Sequence, residues 1–283
     1  TVMEHIEEAG IHSGDSACSL PPQTLSPALV DEIRRQTEAL ARALGVIGLM
    51  NVQYAVQGTR IYVIEANPRA SRTAPFVSKA IGRPLAKMAA KTMLGKKLGE
   101  LGFTEPVVPE HFSVKAPVFP FVKVPGIDTL LGPEMRSTGE VMGIDPALGN
   151  AFVKAHEAAG IKLPTQGRIL VTVKHADKRS VIGEARTLAA FGYELLATDG
   201  TYRALKSNGI EVTRVNKVNE GRPHIVDLVK NREIDLILNT PYGKQQRVDD
   251  SAIRAAAVSA GIPCITTLAG IRAVVSALAA LQR

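Results

Sequence analysis

The stretch Asn51-Val-Gln-Tyr-Ala-Val-Gln-Gly-Thr-Arg-Ile-Tyr-Val-Ile-Glu-Ala-Asn-Pro-Arg69 contains two alternating apolar runs on either side of a glycine-containing turn. That pattern predicts a β-hairpin. On its second strand Glu65 and Asn67 are two residues apart and therefore project from one face. If Gln53 pairs with Glu65 across the hairpin, three oxygen-bearing side chains meet at one place. Spacing alone also allows a surface hairpin with polar ends.

These three side chains have the chemistry of a divalent metal site. Mg²⁺ prefers oxygen ligands, and in phosphoryl-transfer sites it is usually held by one or two carboxylates together with substrate phosphates. Arg69 and Arg72 follow the second strand directly, and guanidinium groups bind phosphate oxygens bidentately. The hairpin and the residues after it therefore predict a metal–nucleotide site.

The composition is that of a globular protein with room for two domains. The chain has 283 residues, of which 45% are hydrophobic and 22% charged, and its formal net charge is +7. The positive charge indicates anionic ligands. Because there is no long run of Lys and Arg and only 4% of residues are aromatic, we expect no nucleic-acid partner.

The sequence also predicts the cellular setting. No segment has the roughly 18 consecutive apolar residues of a membrane span, and two cysteines, Cys18 and Cys264, fit a reducing compartment. We therefore expect a cytoplasmic protein without a membrane partner. The chain starts at Thr1, and an acidic strand-to-loop pattern follows Met3 at once, so we expect a fragment that begins inside a domain.

Helix and strand signals change near residue 160, where we place a domain boundary. Before it, Ser26 and Pro27 begin a predicted helix that ends near Leu44, and the hairpin follows. Further predicted elements are a helix over 75–94, a short helical turn before Gly102, edge strands or connections in the proline-rich residues 104–126, an ordered loop over 126–143 and a helix over 146–160.

After residue 160 strands and helices alternate, which predicts a parallel sheet with helices on both faces. The predicted strands are 168–173, 194–197, 212–215, 235–238 and 263–265, and the predicted helices are 178–191, 201–208, 225–232, 251–260 and 268–281. Polar residues follow four of the strands: Lys178, Thr198, Thr201, Lys217, Asn239 and Thr240. Open parallel sheets bind ligands at this edge, so we expect an anion site there, although Thr-x-Gly-Thr is often only a helix cap.

Two segments of the first part also suit anions. The loop His12-Ser13-Gly14-Asp15-Ser16 is rich in donors and backbone amides, as are loops around a nucleotide base or ribose; the alternative is an ordinary Asx or Ser turn. Ser71-Arg72-Thr73 opens the helix predicted from residue 75, with Thr73 as its cap, and a helix N-terminus is a natural phosphate site.

Several strings resemble one family. Asn51-Val-Gln53 with residues 64–73, IEANPRASRT, resembles the metal-binding hairpin of ATP-grasp ligases, in particular the carbamoyl phosphate synthetase large subunit. Residues 4–21, EHIEEAGIHSGDSACSLP, are similar to the segment of that family that holds the adenosine part of ATP. Residues 131–143, LGPEMRSTGEVMG, resemble a segment expected to brace the ATP-grasp core. The order of elements after residue 160 resembles the methylglyoxal-synthase-like regulatory domain of the same family, which binds UMP or IMP.

The resemblance implies roles for individual residues. ATP contacts are implied for Gly10, Ile11, His12, Ser13, Gln53 and Glu65. Mg²⁺ or Mn²⁺ ligands are implied at Gln53, Glu65 and Asn67, and Arg69 and Arg72 are implied to neutralise charge on the transferring phosphoryl group. Nucleotide-effector contacts are implied for Lys178, Thr198, Thr201, Lys217, Asn239 and Thr240, and ornithine contacts for Glu7 and Asp15.

The chain departs from the family pattern at two positions. Ala116 stands where the family carries a Glu of the ornithine pocket, which removes a carboxylate, so we expect no strong ornithine activation. Pro241 stands where the family has a second Thr or Ser after Asn-Thr and supplies neither a hydroxyl nor an N–H. We therefore expect phosphate recognition to depend more on the lysines.

The resemblance implies a fold of mixed α/β and α+β class. Residues 1–160 would be the C-terminal lobe of an ATP-grasp fold, and residues 161–283 a Rossmann-like parallel-sheet domain of the methylglyoxal-synthase-like type. The implied reaction is ATP-dependent phosphorylation of carbamate to carbamoyl phosphate for arginine and pyrimidine biosynthesis. Implied partners are the remainder of the large subunit, a glutamine amidotransferase small subunit and the nucleotide effectors, in an oligomer.

We expect the 283 residues alone to be catalytically incompetent, because they contain no glycine-rich lid with basic residues to close over the β- and γ-phosphates. Two other functions remain open. One is a stand-alone regulatory module that binds nucleotide monophosphates. The other is a lyase acting on dihydroxyacetone phosphate, for which Asp199 is the one local candidate for a general base.

Overall fold

The computed structural model describes residues 1–123, 129–241 and 247–282. The first part contains strands β1 (Glu4–His5), β2 (Cys18–Leu20), β3 (Asn51–Gln57), β4 (Arg60–Asn67), β5 (Phe112–Val118) and β6 (Gly139–Asp145) and helices α1 (Pro27–Ala43), α2 (Ala74–Ala80), α3 (Leu85–Met93) and α4 (Leu148–Ala158). The second contains β7 (Arg168–Val173), α5 (Ile182–Ala190), β8 (Glu194–Thr198), α6 (Asp199–Lys206), β9 (Thr213–Val215), α7 (Ile225–Lys230), β10 (Leu236–Thr240), α8 (Arg247–Ala260), β11 (Cys264–Ile265) and α9 (Leu268–Leu281). None of the helices in these ranges is long and apolar enough to cross a membrane.

The predicted hairpin is confirmed as a separate two-stranded sheet of β3 and β4. Its turn contains Gly58 at a φ of +61°, a conformation that glycine adopts without steric cost. Helix α1 begins where predicted, because the Ser26 side chain accepts a hydrogen bond from the Leu29 N–H. The hydroxyls of Thr37 and Tyr54 lie 2.9 Å apart and join α1 to the hairpin.

Strands β1, β2, β5 and β6 form an antiparallel sheet in that order, and this sheet corrects two predictions. Strand β5 is paired on both sides, so residues 112–118 are not an edge strand; residues 124–126 of that proline-rich stretch lie outside the described residues. Strand β6 occupies part of the expected loop over 126–143. Gly139 and Gly143 weaken the alternating pattern of that strand, and the structure requires Gly143 because a Cβ there would collide with the Ala151 carbonyl oxygen in α4.

The prediction of one helix over residues 75–94 is wrong, because the segment forms two helices. Gly82, at a φ of +65°, follows the end of α2, and Pro84 has no N–H to continue a helix. Thr73 precedes α2 as expected, but its side chain makes no capping hydrogen bond. Residues 98–102 form turns instead of the expected short helix.

The parallel sheet predicted for the second part is confirmed. Its order is β11-β10-β7-β8-β9, with all four pairs parallel. The chain runs outward from β7 in one direction through β8 and β9, and in the other through β10 and β11. The order therefore reverses between β7 and β10, and a crevice outside the carboxyl ends of such strands is the usual ligand position in this class of fold.

One hydrophobic core joins the two sheets. The largest cluster of buried side chains includes Val114 and Ala116 of β5, Phe152 of α4, Val171 of β7 and Val274 of α9. Helix α4 packs on β5 and β6 with one side and on α9 with another. The boundary placed at residue 160 therefore falls inside a shared core, and it stays a prediction.

Candidate functional site

The hairpin places the three predicted metal ligands on one face. Its register sets Gln53 opposite Glu65 and Asn51 opposite Asn67, and the amide of Asn67 donates to Glu65 Oε1 at 3.0 Å. A register shift follows Gln53, and such β-bulges commonly re-aim side chains beside functional sites. The register therefore keeps the three side chains on the same side of the hairpin, and the metal site itself stays a prediction.

The chemistry of this set fits Mg²⁺ or Mn²⁺ if other oxygens complete the coordination. It offers one carboxylate, Glu65, and the amide oxygens of Gln53 and Asn67, all of them hard ligands. Within the described ranges no group of three or more His, Cys, Asp or Glu side chains could hold a metal ion. A divalent ion at the hairpin would therefore depend on phosphate oxygens for most of its charge compensation and on water oxygens to complete its coordination.

The structure separates the two predicted catalytic arginines. Arg69 lies beside the hairpin set, because its Nη2 donates to Asn67 Oδ1 at 3.2 Å. Arg72 is directed instead to the segment around residue 137, where its Nη1 donates to the Ser137 carbonyl at 3.3 Å. Both side chains are exposed, so each can still reach an anion in solvent.

The predicted nucleotide loop, residues 10–13, is fixed by two other segments. The His12 N–H donates to the Gly132 carbonyl at 2.8 Å, and His12 Nδ1 accepts from the Gly14 N–H at 3.0 Å. Lys115 Nζ donates to the Ser13 carbonyl at 2.9 Å. The segment 131–143 therefore braces the nucleotide loop through Gly132. The hydrogen bonds of His12 fix the orientation of the loop backbone without a ligand.

A buried ion pair below the loop was not predicted from the sequence. The Lys115 side chain is 0% exposed and lies 3.3 Å from Glu140 Oε1. Glu140 Oε2 has no hydrogen-bond partner among the described residues. Lys115 stands between Val114 and Ala116 in β5, and a lysine in so apolar a strand was the available signal.

A cavity of about 560 Å³ lies between the N-terminal residues, α1 and β3. Its lining includes Glu7, Ser13 and Gln53, so three residues that the resemblance connects with ligands share one space. The remaining walls are mixed: Leu29 and Ile33 of α1 are apolar, whereas His5 and Asn51 are polar. A concave space with several convergent polar groups is a candidate small-molecule site.

The two residues implied for ornithine have different surroundings. Asp15 is fully buried, and its two oxygens accept the backbone N–H groups of Arg136 and Ser137, each at 2.8 Å. Glu7 Oε2 accepts from the Ala17 N–H at 2.6 Å, and Glu7 lines the cavity. Burial raises the pKa of Glu7 to about 7. Ala116 is buried in the core that includes α4.

The sheet topology brings the carboxyl ends of β10, β7, β8 and β9 to one edge, as predicted. The threonines at this edge are buried and bonded within the protein. The hydroxyls of Thr198 and Thr172 lie 3.2 Å apart, Thr201 Oγ1 accepts from the Val173 N–H at 3.4 Å, and Thr240 Oγ1 accepts from the Lys174 N–H at 3.1 Å. Their hydroxyls therefore tie neighbouring strand ends together.

Lys178 is directed at the N-terminus of α6. A Cβ on Gly200 would lie 2.5 Å from Lys178 Nζ, and the Thr198 side chain makes no capping hydrogen bond to this helix. Because an ammonium and a helix N-terminus are both positive, they repel each other unless an anion lies between them. Asp199 does not supply that charge, since it pairs with Arg203 at 2.9 Å and Arg214 at 3.4 Å.

Lys217 and Asn239 differ in exposure. Lys217 is partly buried after β9, and its backbone N–H donates to Glu220 Oε2 at 3.1 Å. Asn239 is 1% exposed; its amide donates to the Thr172 carbonyl at 3.3 Å, and its oxygen accepts from Arg254 Nη1 at 3.2 Å. Arg254 is fully buried and was missed, because an arginine in a helix is usually exposed.

Comparisons with known proteins define the class of both parts. Residues 1–101 match the family model described as carbamoyl-phosphate synthase L chain, ATP binding domain, and residues 181–266 match the MGS-like domain. The protein therefore combines an ATP-binding domain of the ATP-grasp type with a methylglyoxal-synthase-like domain, and the predicted fold class is confirmed.

Similarity to individual proteins extends over the whole chain. It is 55% identical over 283 residues, all of this chain and 26% of the relative, to carbamoyl phosphate synthase large chain from Synechocystis sp.. It is also 55% identical to carbamoyl phosphate synthase large chain from Pseudomonas putida. That match covers 98% of this chain and 26% of the relative. The chain thus belongs to the carbamoyl phosphate synthase large-chain family, as the resemblance implied, and spans about a quarter of the length of these relatives. Methylglyoxal synthase from Elizabethkingia anophelis NUHP1 matches 40% of this chain and 79% of its own at 20% identity and a TM-score of 0.35.

We predict that Glu7 makes the chain less stable as the pH rises. Because its pKa is raised from 4.5 to about 7 by burial, the folded chain keeps a proton between these values that the unfolded chain has lost. The contribution of Glu7 is therefore fully present below the unfolded pKa and lost as pH rises through 7. Relative to Glu7→Gln, the wild type should lose on the order of 2 kcal/mol between pH 4.5 and 7.5 in urea unfolding.

The neighbouring exposed Glu8 gives the matched control, and Glu8→Gln should leave the wild-type pH profile unchanged. His5, whose pKa burial lowers to about 4, is present in all three proteins and cancels in the comparison. Parallel stability profiles for wild type and Glu7→Gln would contradict the prediction.

Proposed function

We propose that this chain forms part of the site that phosphorylates carbamate in a carbamoyl phosphate synthase, and carries its nucleotide-regulated domain at residues 161–283. The observation that carries the proposal is the placement of Gln53, Glu65 and Asn67 on one hairpin face with Arg69 alongside. The partners would be the remainder of the large subunit and a glutamine amidotransferase small subunit. The product would supply arginine and pyrimidine biosynthesis.

The hairpin residues would hold the metal ion of the nucleotide. Gln53, Glu65 and Asn67 would supply oxygen ligands to Mg²⁺ or Mn²⁺, which when bound neutralises charge on the phosphates. Asn67 has a second role in this arrangement. Its amide bonds Glu65 and its oxygen bonds Arg69, so it sets the spacing between the carboxylate and the guanidinium.

The nucleotide loop and the arginines would position the phosphates and the base. The His12 N–H donates to the Gly132 carbonyl of the bracing segment and the Ile11 N–H to the Glu8 carbonyl, and a loop held in place costs little ordering entropy on binding. Arg69 would lie against the transferring phosphoryl group, where charge develops in the transition state. Arg72 donates to the Ser137 carbonyl in this structure. It would have to turn from that carbonyl to reach the oxygens of the transferring phosphoryl group.

We predict that the 283 residues alone give negligible carbamoyl phosphate from bicarbonate, ammonia and ATP. Phosphoryl transfer depends on positioning and charge stabilisation from both sides of the nucleotide, and this chain supplies one side. Product formation measured by carbamoylation of ornithine should stay at background and appear when the preceding part of the large chain is added. Turnover by the chain alone would contradict the first expectation, and no turnover after addition would favour the stand-alone regulatory module.

We predict that Glu65→Gln lowers Mn²⁺ binding in the presence of ATP by about tenfold or more, because it removes the one carboxylate of the set. Electron paramagnetic resonance of free Mn²⁺ measures this directly. Glu105→Gln, which changes an exposed carboxylate elsewhere, is the matched control and should bind as wild type does. The same affinity in Glu65→Gln, or no binding by wild type, would contradict a metal site at the hairpin.

The parallel-sheet domain would bind a nucleotide monophosphate through its phosphate. Lys178 and the N-terminus of α6 both direct positive charge at the position above Gly200, and Lys217 follows β9 on the same edge. The floor of this site would be formed by the buried residues at the strand ends, Thr198, Thr201, Asn239 and Thr240. The ion pairs of Asp199 with Arg203 and Arg214 leave the lyase alternative without a general base and disfavour it.

We predict that Lys178→Gln weakens binding of UMP and IMP by about 10- to 100-fold, since hydrogen bonds to charged groups contribute about 1.5–3 kcal/mol. Calorimetry on the whole chain measures the change. Lys206→Gln, at the other end of α6, removes the same charge and should have no more than a small effect. Equal losses in the two variants would show a general charge effect and contradict the site.

A further inference from the structure

The basic residues of the chain are unevenly distributed. Residues 66–99 contain eight of the 34 Lys and Arg residues and none of the 27 Asp and Glu residues. The rest of the chain therefore has 26 basic and 27 acidic residues and a formal charge of −1, so this segment accounts for the positive net charge. Arg69 and Arg72 belong to the proposed hairpin site. The proposed function does not use the other six, which are Lys79, Arg83, Lys87, Lys91, Lys96 and Lys97.

These six side chains are exposed on helices α2 and α3 and on the turns beside them. Among them, only Lys96 has an ion-pair partner within the described residues, Glu100 at 3.1 Å. Lys87 and Lys91 are four residues apart in α3 and therefore project from the same face of the helix. Helix α1 differs, because each of its three arginines pairs with an acidic residue three or four positions away. The charge on α2 and α3 is thus left without compensation by the described part of the chain.

Large apolar side chains are exposed directly beside these charges. At the end of α3 and after it, Met93, Leu94 and Leu98 are 64%, 86% and 49% exposed. The loop after α1 lies against this group, because a Cβ on Gly48 would lie 2.6 Å from Met93 Cε. An exposed apolar patch with a polar rim is typical of a protein–protein interface. The six basic residues together with these three apolar residues are called the α3 surface below.

The composition of the α3 surface favours a protein over other anionic macromolecules. It has no Tyr or Trp of the kind that anchors proteins in membrane interfaces. It also has no ring on which a base could stack, since Phe76, the one aromatic residue of 66–99, is buried. A second copy of this chain would bring two surfaces of the same sign together. A protein with acidic side chains around an apolar centre matches both the charge and the patch.

We propose that the α3 surface docks on an acidic surface in the remainder of the large chain. This inference rests on the proposed function, which makes that remainder a partner, and it adds where the contact lies and which charge the other side carries. The chain spans about a quarter of the length of its relatives, so most of the protein surface available to cover α3 belongs to the remainder.

The reactivity of lysines tests the contact in the complete large chain. An amine-reactive acetylating reagent should modify Lys79, Lys87 and Lys91 about tenfold more slowly there than in the 283 residues alone, because a covered ammonium is reached only when the contact opens. Mass spectrometry measures each rate. The matched controls, Lys206 and Lys230, are exposed and have no ion pair in the described ranges, and their rates should change less than about twofold. Equal changes in the two groups, or none in the first, would overturn the contact.

Charge reversal tests whether the covering surface is acidic. In the complete large chain, Lys87→Glu with Lys91→Glu should speed acetylation of Lys79 about fivefold or more, because like charges now face each other across the contact. Lys206→Glu with Lys230→Glu changes the total charge equally and should leave Lys79 protected. Continued protection of Lys79 in the α3 variant would overturn the acidic partner. If that variant does not fold, Lys87→Gln with Lys91→Gln takes its place, with the same direction of change.

Other occupants of the surface give different results. Protection of Lys87 and Lys91 only after addition of phosphatidylserine vesicles or RNA, or only at high protein concentration, would overturn the proposal in favour of a membrane, a nucleic acid or a second copy. The outcome is separate from that of the proposed function, because none of these lysines belongs to the hairpin site. Mn²⁺ binding with unprotected lysines removes the docking alone, and protected lysines without Mn²⁺ binding remove the metal site alone.

Discussion

Burial of α4 between the antiparallel sheet and helix α9 is the constraint on which the rest of the structure depends. The hairpin of β3 and β4 exposes much of its surface, and a small isolated sheet of this kind is marginal in water. Strands β5 and β6 provide a firm base because α4 covers them, and α4 is in turn covered by α9. The continuous apolar cluster from Val114 to Val274 makes the two halves contribute to each other's stability.

Buried polar groups then set the positions of the ligand-binding loops. An unpaired buried charge is costly, and partners of opposite charge with further hydrogen bonds offset that cost. Lys115 meets this condition through Glu140 and the Ser13 carbonyl, and Asp15 meets it through two backbone amides. Hydrophobic residues of similar volume could fill the same space, but they would not hold residues 12–15 in one arrangement. The polar cluster therefore gives orientation to a loop that has little regular structure of its own.

The parts of this arrangement that were predictable from sequence are those with local signals. The hairpin register follows from alternation and a glycine turn, which is why Gln53, Glu65 and Asn67 could be placed on one face. The parallel sheet follows from the regular order of strands and helices. Strand β6 and the roles of Lys115 and Arg254 could not be predicted in this way, because each depends on a neighbour in another element: α4 over Gly143, Glu140 beside Lys115, and Asn239 beside Arg254. The break before Pro84 does have a local signal, in Gly82 and Pro84 themselves.

Charge links the two proposed sites, although they lie on different sheets. The hairpin has one carboxylate next to Arg69, so it is close to neutral before a ligand binds, and a metal ion alone would leave it strongly positive. A metal–nucleotide complex, which carries net negative charge, balances it better. At the parallel-sheet edge Lys178 and the α6 N-terminus are both positive, and Arg203 and Arg214 already neutralise the carboxylate of Asp199. Both sites therefore favour phosphate-bearing ligands, and the net charge of +7 agrees with that preference.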